Sequence, residues 1–161
     1  MQMLRQDHAP ALLKFELENR EYFSSVIPDR GDEYFEFFEE RLRGVLALQE
    51  NGSDFFHVLL SEDGSIVGRV NLFNLREGSA EVGYRIARRS AGKGLATAAV
   101  GDVCKLAASK YGLRHLTAKV TLDNKASIVV LARNGFTPIG ELSVNDKPAM
   151  TYGRAIWSHS D

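Results

Sequence analysis

The chain has 161 residues, of which 44% are hydrophobic and 25% charged, a composition typical of one globular domain with a full core. A formal net charge of −1 argues against general nucleic-acid binding, and a single cysteine, Cys104, excludes an internal disulfide or a cysteine-rich metal site. The four histidines lack metal-ligand spacing, so we expect no metal. No apolar stretch is long enough to span a membrane, and the first residues lack a secretion signal. We therefore expect a cytoplasmic protein without a membrane partner.

Charge is distributed unevenly along the chain. Acidic residues exceed basic ones over residues 1–60, and basic residues exceed acidic ones over residues 61–161. One interpretation is that the acidic part consists of solvated helix faces. The alternative is a basic half that holds an anionic cofactor beside an acidic half that receives a cationic substrate.

The first fifty residues predict a short strand and two helices. Residues 3–5 form a candidate edge strand, and Asp7 is suited to cap a helix over residues 8–23. Pro28 and the residues up to Gly31 break the chain, and Asp32 is suited to cap a second helix that ends near residue 49. The apolar positions expected to face the core are Leu12, Leu13, Phe15 and Leu17 in the first helix and Phe35, Phe38, Leu42 and Val45 in the second.

The remainder predicts a sheet interrupted by two helices. Three strands over residues 55–60, 66–73 and 79–86 form an antiparallel meander. A helix over residues 92–111, a strand over 115–120 and a helix over 124–134 follow, and a hairpin over 136–144 and 149–157 ends the chain. This order predicts a single α/β domain over residues 1–161, with helices on both faces of the sheet.

A glycine-rich turn connects the third strand of the meander to the long helix. Gly92 and Gly94 permit backbone conformations closed to other residues, and the following helix offers unpaired N–H groups at the positive end of its dipole. Arg88, Arg89 and Lys93 add positive charge, so the turn predicts a pyrophosphate site. The patterns G-x-x-x-x-G-K-S/T and G-x-G-x-x-G are both absent here, which argues against the common nucleotide-binding loops.

Three sequence blocks resemble the GNAT superfamily of acyl-CoA-dependent N-acetyltransferases. Arg89, Gly92 and Gly94 match its acyl-CoA motif, Q/R-x-x-G-x-G/A. Residues 124–127 are similar to its N-x-x-A/S helix start, and residues 135–136 to its closing glycine and phenylalanine. Residues 81–84 resemble the E-I/V-G-Y strand of the RimJ/RimL-type branch, which acetylates N-terminal amines of ribosomal proteins.

The resemblance implies a fold, a co-substrate and a set of contacts. The GNAT fold has a mixed, mostly antiparallel twisted central sheet of six to seven strands, and acetyl-CoA is the co-substrate. Its pyrophosphate is expected on the amides of the glycine turn, and its pantetheine arm along the third meander strand. The expected contact residues are Tyr84, Arg85, Ile86, Arg89, Ser90, Ala91, Gly92, Lys93, Gly94, Leu95, Ala96, Asn124 and Ser127.

Two side chains are candidates for proton transfer. Glu81 is the candidate general base, because a partly desolvated strand carboxylate has a raised pKa; the alternative is an ion pair with Arg69 or Lys119. Many GNAT enzymes place a tyrosine acid seven residues after the motif asparagine, but that position is Leu131 here. Ser127 is then the candidate acid, unless it is a helix-surface serine bonded to its own backbone.

The acceptor expected from these features is a primary amine, most specifically the N-terminal α-amine of a protein such as a ribosomal protein. A small amine (a polyamine, an amino acid or an antibiotic) is the alternative acceptor. A CoA-binding module without turnover and a protein that binds another phosphate ligand are the alternative classes. The sequence is compatible with a monomer or a homodimer.

Overall fold

The computed structural model describes residues 1–156, which form seven strands and six α-helices. The strands are β1 (Gln2–Met3), β2 (Phe55–Leu60), β3 (Ile66–Arg76), β4 (Ser79–Ile86), β5 (His115–Thr121), β6 (Thr137–Val144) and β7 (Lys147–Ala155). The helices are α1 (Ala9–Glu18), α2 (Arg20–Ser24), α3 (Asp32–Glu36), α4 (Phe38–Glu50), α5 (Leu95–Ser109) and α6 (Lys125–Arg133).

All seven strands belong to one sheet in the order β1-β2-β3-β4-β5-β7-β6. Every neighbouring pair is antiparallel except β4 and β5, which are parallel and joined through α5. A parallel pair requires such a crossover, because its strands run in the same direction. The predicted α/β fold with a mostly antiparallel sheet of six to seven strands is confirmed.

Apolar side chains cover both faces of the sheet. On one face α5 contributes Val100 and Val103, which are buried in the same cluster as Leu116 of β5. On the other face Leu12 and Phe15 of α1 are buried with residues of α4. Leu17 was predicted to face the core but is half exposed, so the buried apolar face of α1 is narrower than predicted. Among the helices of residues 1–156, none has the length and hydropathy that crossing a bilayer requires.

The two leading helices are each interrupted once, which corrects the prediction of continuous helices over 8–23 and 32–49. Asn19 separates α1 from α2, and Phe37 separates α3 from α4. The predicted caps are also wrong: Asp7 lies within a 3-10 turn and pairs with Arg5, and Asp32 is the first residue of α3, after Gly31 at the N-cap.

The interruption at Asn19 has a tertiary role. Its side-chain amide donates to the Phe15 carbonyl at 2.8 Å, and its Oδ1 accepts from the Arg88 main-chain N–H at 2.9 Å. Asn19 is buried, so both bonds are shielded from water. The end of α1 is thereby attached to the start of the glycine turn.

Several further boundaries differ from the prediction. The edge strand β1 covers Gln2–Met3 rather than residues 3–5. The long helix begins at Leu95 rather than residue 92, because Gly94 has the left-handed conformation of its N-cap. β3 extends to Arg76 rather than residue 73. The last hairpin has a two-residue turn at Asn145 and Asp146, both with positive φ, so β7 begins before the predicted residue 149. The predicted end of that strand, residue 157, lies outside the described residues.

His57 in β2 makes stability dependent on pH. Its Nδ1 lies 3.1 Å from the Val70 carbonyl oxygen and its Nε2 2.9 Å from the Tyr111 hydroxyl. A carbonyl only accepts, so Nδ1 carries the proton and Nε2 accepts from Tyr111. Burial lowers the pKa of His57 to about 4.

We predict that stability falls as the pH drops from about 6.5 to about 4, because the unfolded state then binds a proton that the native state excludes. The full effect is about 3 kcal/mol, at roughly 1.4 kcal/mol per pKa unit. Urea unfolding at pH 7 and at pH 4.5 measures it. His57→Gln should lose about 2–3 kcal/mol less than the wild type over this range, and an equal loss in both proteins would contradict the assignment.

Candidate functional site

The glycine turn presents main-chain N–H groups at the start of a fifteen-residue helix. Gly92 and Gly94 have φ values of 74° and 78°, which explains why glycine occupies both positions. The first i to i−4 bond of α5 runs from the Ala98 N–H to the Gly94 carbonyl. The amides of the three preceding residues therefore have no partner within the helix. This arrangement is suited to a phosphate group.

A cleft opens where β4 and β5 separate. Their parallel ladder ends at the pair Glu81 and Thr117, although both strands continue beyond that point. The cavity between them has a volume of about 780 Å³. Its lining residues come from β4, β5, the glycine turn, the start of α5, α6, the β6–β7 turn and the segment that includes the end of α2.

Most of the predicted contact residues line this single cavity. They are Tyr84, Arg85, Ile86, Ser90, Ala91, Gly92, Gly94, Leu95, Ala96, Asn124 and Ser127. Arg89 and Lys93 are not among its lining residues. Arg89 is directed to the β2–β3 turn, where its Nη2 donates to Ser65 Oγ at 3.0 Å. The cavity wall formed by residues 22–28 was not predicted, because nothing in its local sequence indicates which surface it faces.

Tyr84 and Ser127 form a pair inside the cleft. Their hydroxyl oxygens are 2.8 Å apart. Asn124 is the N-cap of α6, and its Oδ1 accepts from the Ser127 main-chain N–H at 3.2 Å. Burial raises the pKa of Tyr84, so its hydroxyl keeps its proton at neutral pH and can act as a donor. Tyr84 was predicted from the sequence as a cofactor contact, but its side-chain partner was not.

Glu81 lies at the point where the two strands separate. It is opposite Phe73 of β3 and beside Thr117 of β5. Its carboxylate is 3.7 Å from Lys119 Nζ, which is one of the two ion pairs considered from the sequence. Glu81 is absent from the residues lining the cavity, whereas Lys119 is present. Its role as general base stays a prediction.

The described part of the cleft lining is basic. Its charged residues are Arg85, Lys119, Arg133 and Lys147, and no aspartate or glutamate belongs to it. The acidic side chains of α3 and α4, by contrast, are exposed. The acidic side chains of α3 and α4 therefore form solvated helix faces, whereas Glu16 of α1 is buried.

A buried ionic cluster adjoins the cleft and was missed by the sequence analysis. Glu16 of α1 is 1% exposed and is paired with Arg69, Arg85 and Arg30. Glu16 follows Leu12 by four residues and therefore lies on the buried face of α1. This spacing is the feature of the sequence that could have indicated its burial.

Comparison with known proteins defines the class. Residues 1–137 match the acetyltransferase (GNAT) domain family. The probable N-acetyltransferase YjcK of Bacillus subtilis is 28% identical over 141 residues, which are 84% of this chain and 78% of that protein. The family match over residues 1–137 covers most of the chain, so the protein belongs to the GNAT acetyltransferase family. It is an N-acetyltransferase that uses acetyl-CoA as its co-substrate, as the sequence motifs predicted.

Solved structures confirm the fold. The ribosomal-protein-S5-alanine acetyltransferase of Vibrio fischeri has a TM-score of 0.89 at 22% identity, covering 96% of this chain and 91% of that one. RimL, a ribosomal-protein acetyltransferase in complex with coenzyme A, has a TM-score of 0.85 at 20% identity and coverages of 96% and 92%. A spermidine N-acetyltransferase SpeG chimera from Vibrio cholerae has a TM-score of 0.80 at 16% identity and coverages of 96% and 93%. Proteins of this fold therefore act on different amines.

We predict that Gly92→Ala weakens acetyl-CoA binding about fivefold to tenfold. Alanine in the left-handed region costs about 1–2 kcal/mol, and a turn that relaxes to avoid this cost no longer directs its N–H groups together. Calorimetric titration with acetyl-CoA measures the change.

Gly52→Ala is the matched control for this prediction. Gly52 has a φ of 78° after α4, and like Gly92 its added Cβ would meet no atom within 4 Å. Both variants should lose similar stability, but only Gly92→Ala should lose affinity. Unchanged affinity in Gly92→Ala would argue against the turn as the phosphate site.

Proposed function

We propose that this N-acetyltransferase acts on the α-amine of a peptide or protein N-terminus. The observation that supports this acceptor best is the cleft lining, whose described charged residues are all basic. A polyamine carries several positive charges that a site without carboxylates would leave uncompensated. A single α-amine loses its only positive charge before it reacts, so it suits a basic cleft.

The chemistry of the amine favours the same acceptor. The pKa of an α-amine is near 8 and that of a lysine amine near 10.4, a difference of about 2.5 units. Removing the proton from the α-amine at neutral pH is therefore easier by about 3.4 kcal/mol. A site with one modest base is sufficient for an α-amine. RimL, which has the same fold, acts on such a group according to its name, an alpha-N-protein acetyltransferase.

Acetyl-CoA supplies an acyl group already activated as a thioester, and the chain positions it. The amides of the glycine turn are proposed to bind the pyrophosphate. The edge of β4 that has separated from β5 is proposed to pair with the pantetheine arm and to offer an N–H group to the carbonyl oxygen that becomes negative.

The proposed reaction requires two proton transfers, one to the leaving thiolate and one from the attacking amine. Tyr84 and Ser127 are proposed to deliver a proton to the departing thiolate, because their hydroxyls are hydrogen-bonded within the cleft. Glu81, at the end of the β4–β5 ladder, is proposed to accept the amine proton through water. The ion pair with Lys119 would have to open for this role.

An acceptor panel tests the proposal. Thiol release from acetyl-CoA is measured with short peptides that begin with serine or alanine, with the same peptides blocked at the N-terminus, with spermidine and with free amino acids. We expect turnover with the free peptides and none with the blocked ones. Turnover confined to spermidine or amino acids would identify a small-molecule enzyme, and binding without any turnover would identify a CoA-binding module.

We predict that Glu81→Gln lowers kcat about 100-fold, because general-base catalysis contributes roughly 10²–10⁴. The rate is measured with the best acceptor of the panel, across a range of pH. Glu77→Gln, in the exposed β3–β4 turn, is the matched control and should keep the wild-type rate. A normal rate in Glu81→Gln would move the base to another residue.

We predict that Tyr84→Phe and Ser127→Ala each lower kcat about threefold to tenfold. The effect is modest because a thiol with a pKa near 8.5 leaves with little assistance. Since the two hydroxyls act as one unit, the double variant should be no slower than the slower single variant. Ser109→Ala, at the exposed end of α5, is the control. Losses that multiply in the double variant would show independent roles.

A further inference from the structure

We infer that the arginine cluster around Glu16 is a subsite for a carboxylate of the acceptor, placed beside the acetyl-transfer cleft. The inference rests on the proposed function for the amine that reacts, but it concerns a second group of the same molecule. The ligand chemistry is a carboxylate held by guanidinium groups, which bind such groups through paired N–H donors.

The cluster contains more positive charge than its one carboxylate neutralises. Arg69 Nη1 donates to Glu16 Oε1 at 2.8 Å, and Arg85 Nη1 donates to Glu16 Oε2 at 3.3 Å. Arg30 Nε approaches Oε2 at 3.7 Å. Three guanidinium groups thus share one buried carboxylate, which leaves an excess of two positive charges.

This excess positive charge is energetically unfavourable because it is largely buried. Arg69 and Arg85 are directly opposite each other on β3 and β4, an arrangement that is unfavourable for like charges. Their side chains are only 6% and 19% exposed, so water screens the repulsion weakly. Burial, together with the neighbouring Arg30 and Arg69, lowers the pKa of Arg85 to about 10, still well above neutral pH.

The donors of the cluster are not all used. Arg69 Nε is buried without a hydrogen-bond partner among the described residues. Arg30 makes a long ion pair and rests against the Tyr34 ring at 4.6 Å, with its side chain about one-third exposed. Asp29, which also lines the small cavity beside the cluster, is paired with Arg20 at 2.8 Å. An additional anion beside Arg30 and Arg85, which line the small cavity next to Glu16, would relieve this repulsion.

The cluster adjoins the site of chemistry. A small cavity of about 10 Å³ is bounded by Glu16, Arg30 and Arg85. Arg85 also lines the large cleft, and so do Phe23, Ser24 and Pro28 of the intervening wall. The cluster lies on the α1–α4 face of the sheet, whereas the Tyr84–Ser127 pair lies towards α6. An acceptor entering from the α1–α4 face would meet both the arginines and Glu81.

Two sources of the carboxylate fit this chemistry. One is an acidic side chain near the N-terminus of an acceptor peptide, and the other is the α-carboxylate of a free amino acid. Both place a negative group a few bonds from a primary amine. Two matched ligand pairs distinguish them.

The test measures binding, so it does not depend on turnover. Protein saturated with CoA is titrated by calorimetry with the acetylated tetrapeptide amides acetyl-Ser-Glu-Ala-Ala and acetyl-Ser-Gln-Ala-Ala, and with N-acetylserine and N-acetylserinamide. We expect the carboxylate member of one pair to bind about tenfold more tightly than its neutral partner. The preferred pair identifies the source.

Arg30→Gln and Arg85→Gln should each reduce this preference to less than threefold, and Arg43→Gln, on the exposed side of α4, should leave it intact. Thermal unfolding checks that each variant is folded. If Arg85→Gln does not fold, the result with Arg30→Gln alone decides the test. Equal binding within both pairs by the wild-type protein, or a preference that survives in the folded variants, would overturn the inference. A parallel loss of CoA affinity would overturn it too, since it would assign the arginines to CoA.

The outcome is separable from that of the proposed function. A carboxylate preference in a protein that acetylates no peptide would retain the subsite and reject the peptide acceptor. Peptide turnover with no carboxylate preference would retain the peptide acceptor and reject the subsite.

Discussion

The separation of β4 from β5 is the constraint on which the rest of the site depends. The two strands pair only as far as Glu81 and Thr117, while β3 and β7 hold their outer edges over a longer distance. The strands cannot close the gap without breaking those outer ladders. The gap-facing main-chain groups lack strand partners, and buried N–H and C=O groups require them. An extended ligand with amide groups, such as the pantetheine arm, can supply them as an added strand would.

The sheet also divides the chemistry between its two faces. Successive residues of a strand point to opposite sides, so Glu81 and Arg85 share one face and Tyr84 the other. The hydroxyl pair of Tyr84 and Ser127, the proposed proton donor to the leaving thiolate, lies beside α6. The carboxylate and the arginine cluster lie towards the leading helices. The amine would approach a thioester in the gap from one face of the sheet, and the leaving thiolate would receive its proton from the other face. This arrangement would keep the proton donor away from the nucleophile.

The sequence predicted those parts of the site that are encoded locally. The glycine turn, the strand from Ser79 to Ile86 and the helix start at residues 124–127 each depend on a few neighbouring residues, and the structure has all three. Parts that depend on distant partners were missed. Glu16 looks like a solvated helix residue until Arg69 and Arg85, more than fifty positions away, are placed against it. Asn19 likewise interrupts a helix for the sake of a bond to Arg88, which no local propensity encodes.

That bond from Asn19 has a consequence for binding in the cleft. It ties the entrance to the glycine turn to the junction of α1 and α2, and the wall of the cleft at residues 22–28 begins within α2. A ligand that immobilises the turn would therefore also steady the cleft wall at residues 22–28. Such linkage is reciprocal, so a molecule bound against residues 22–28 would in turn strengthen binding at the glycine turn.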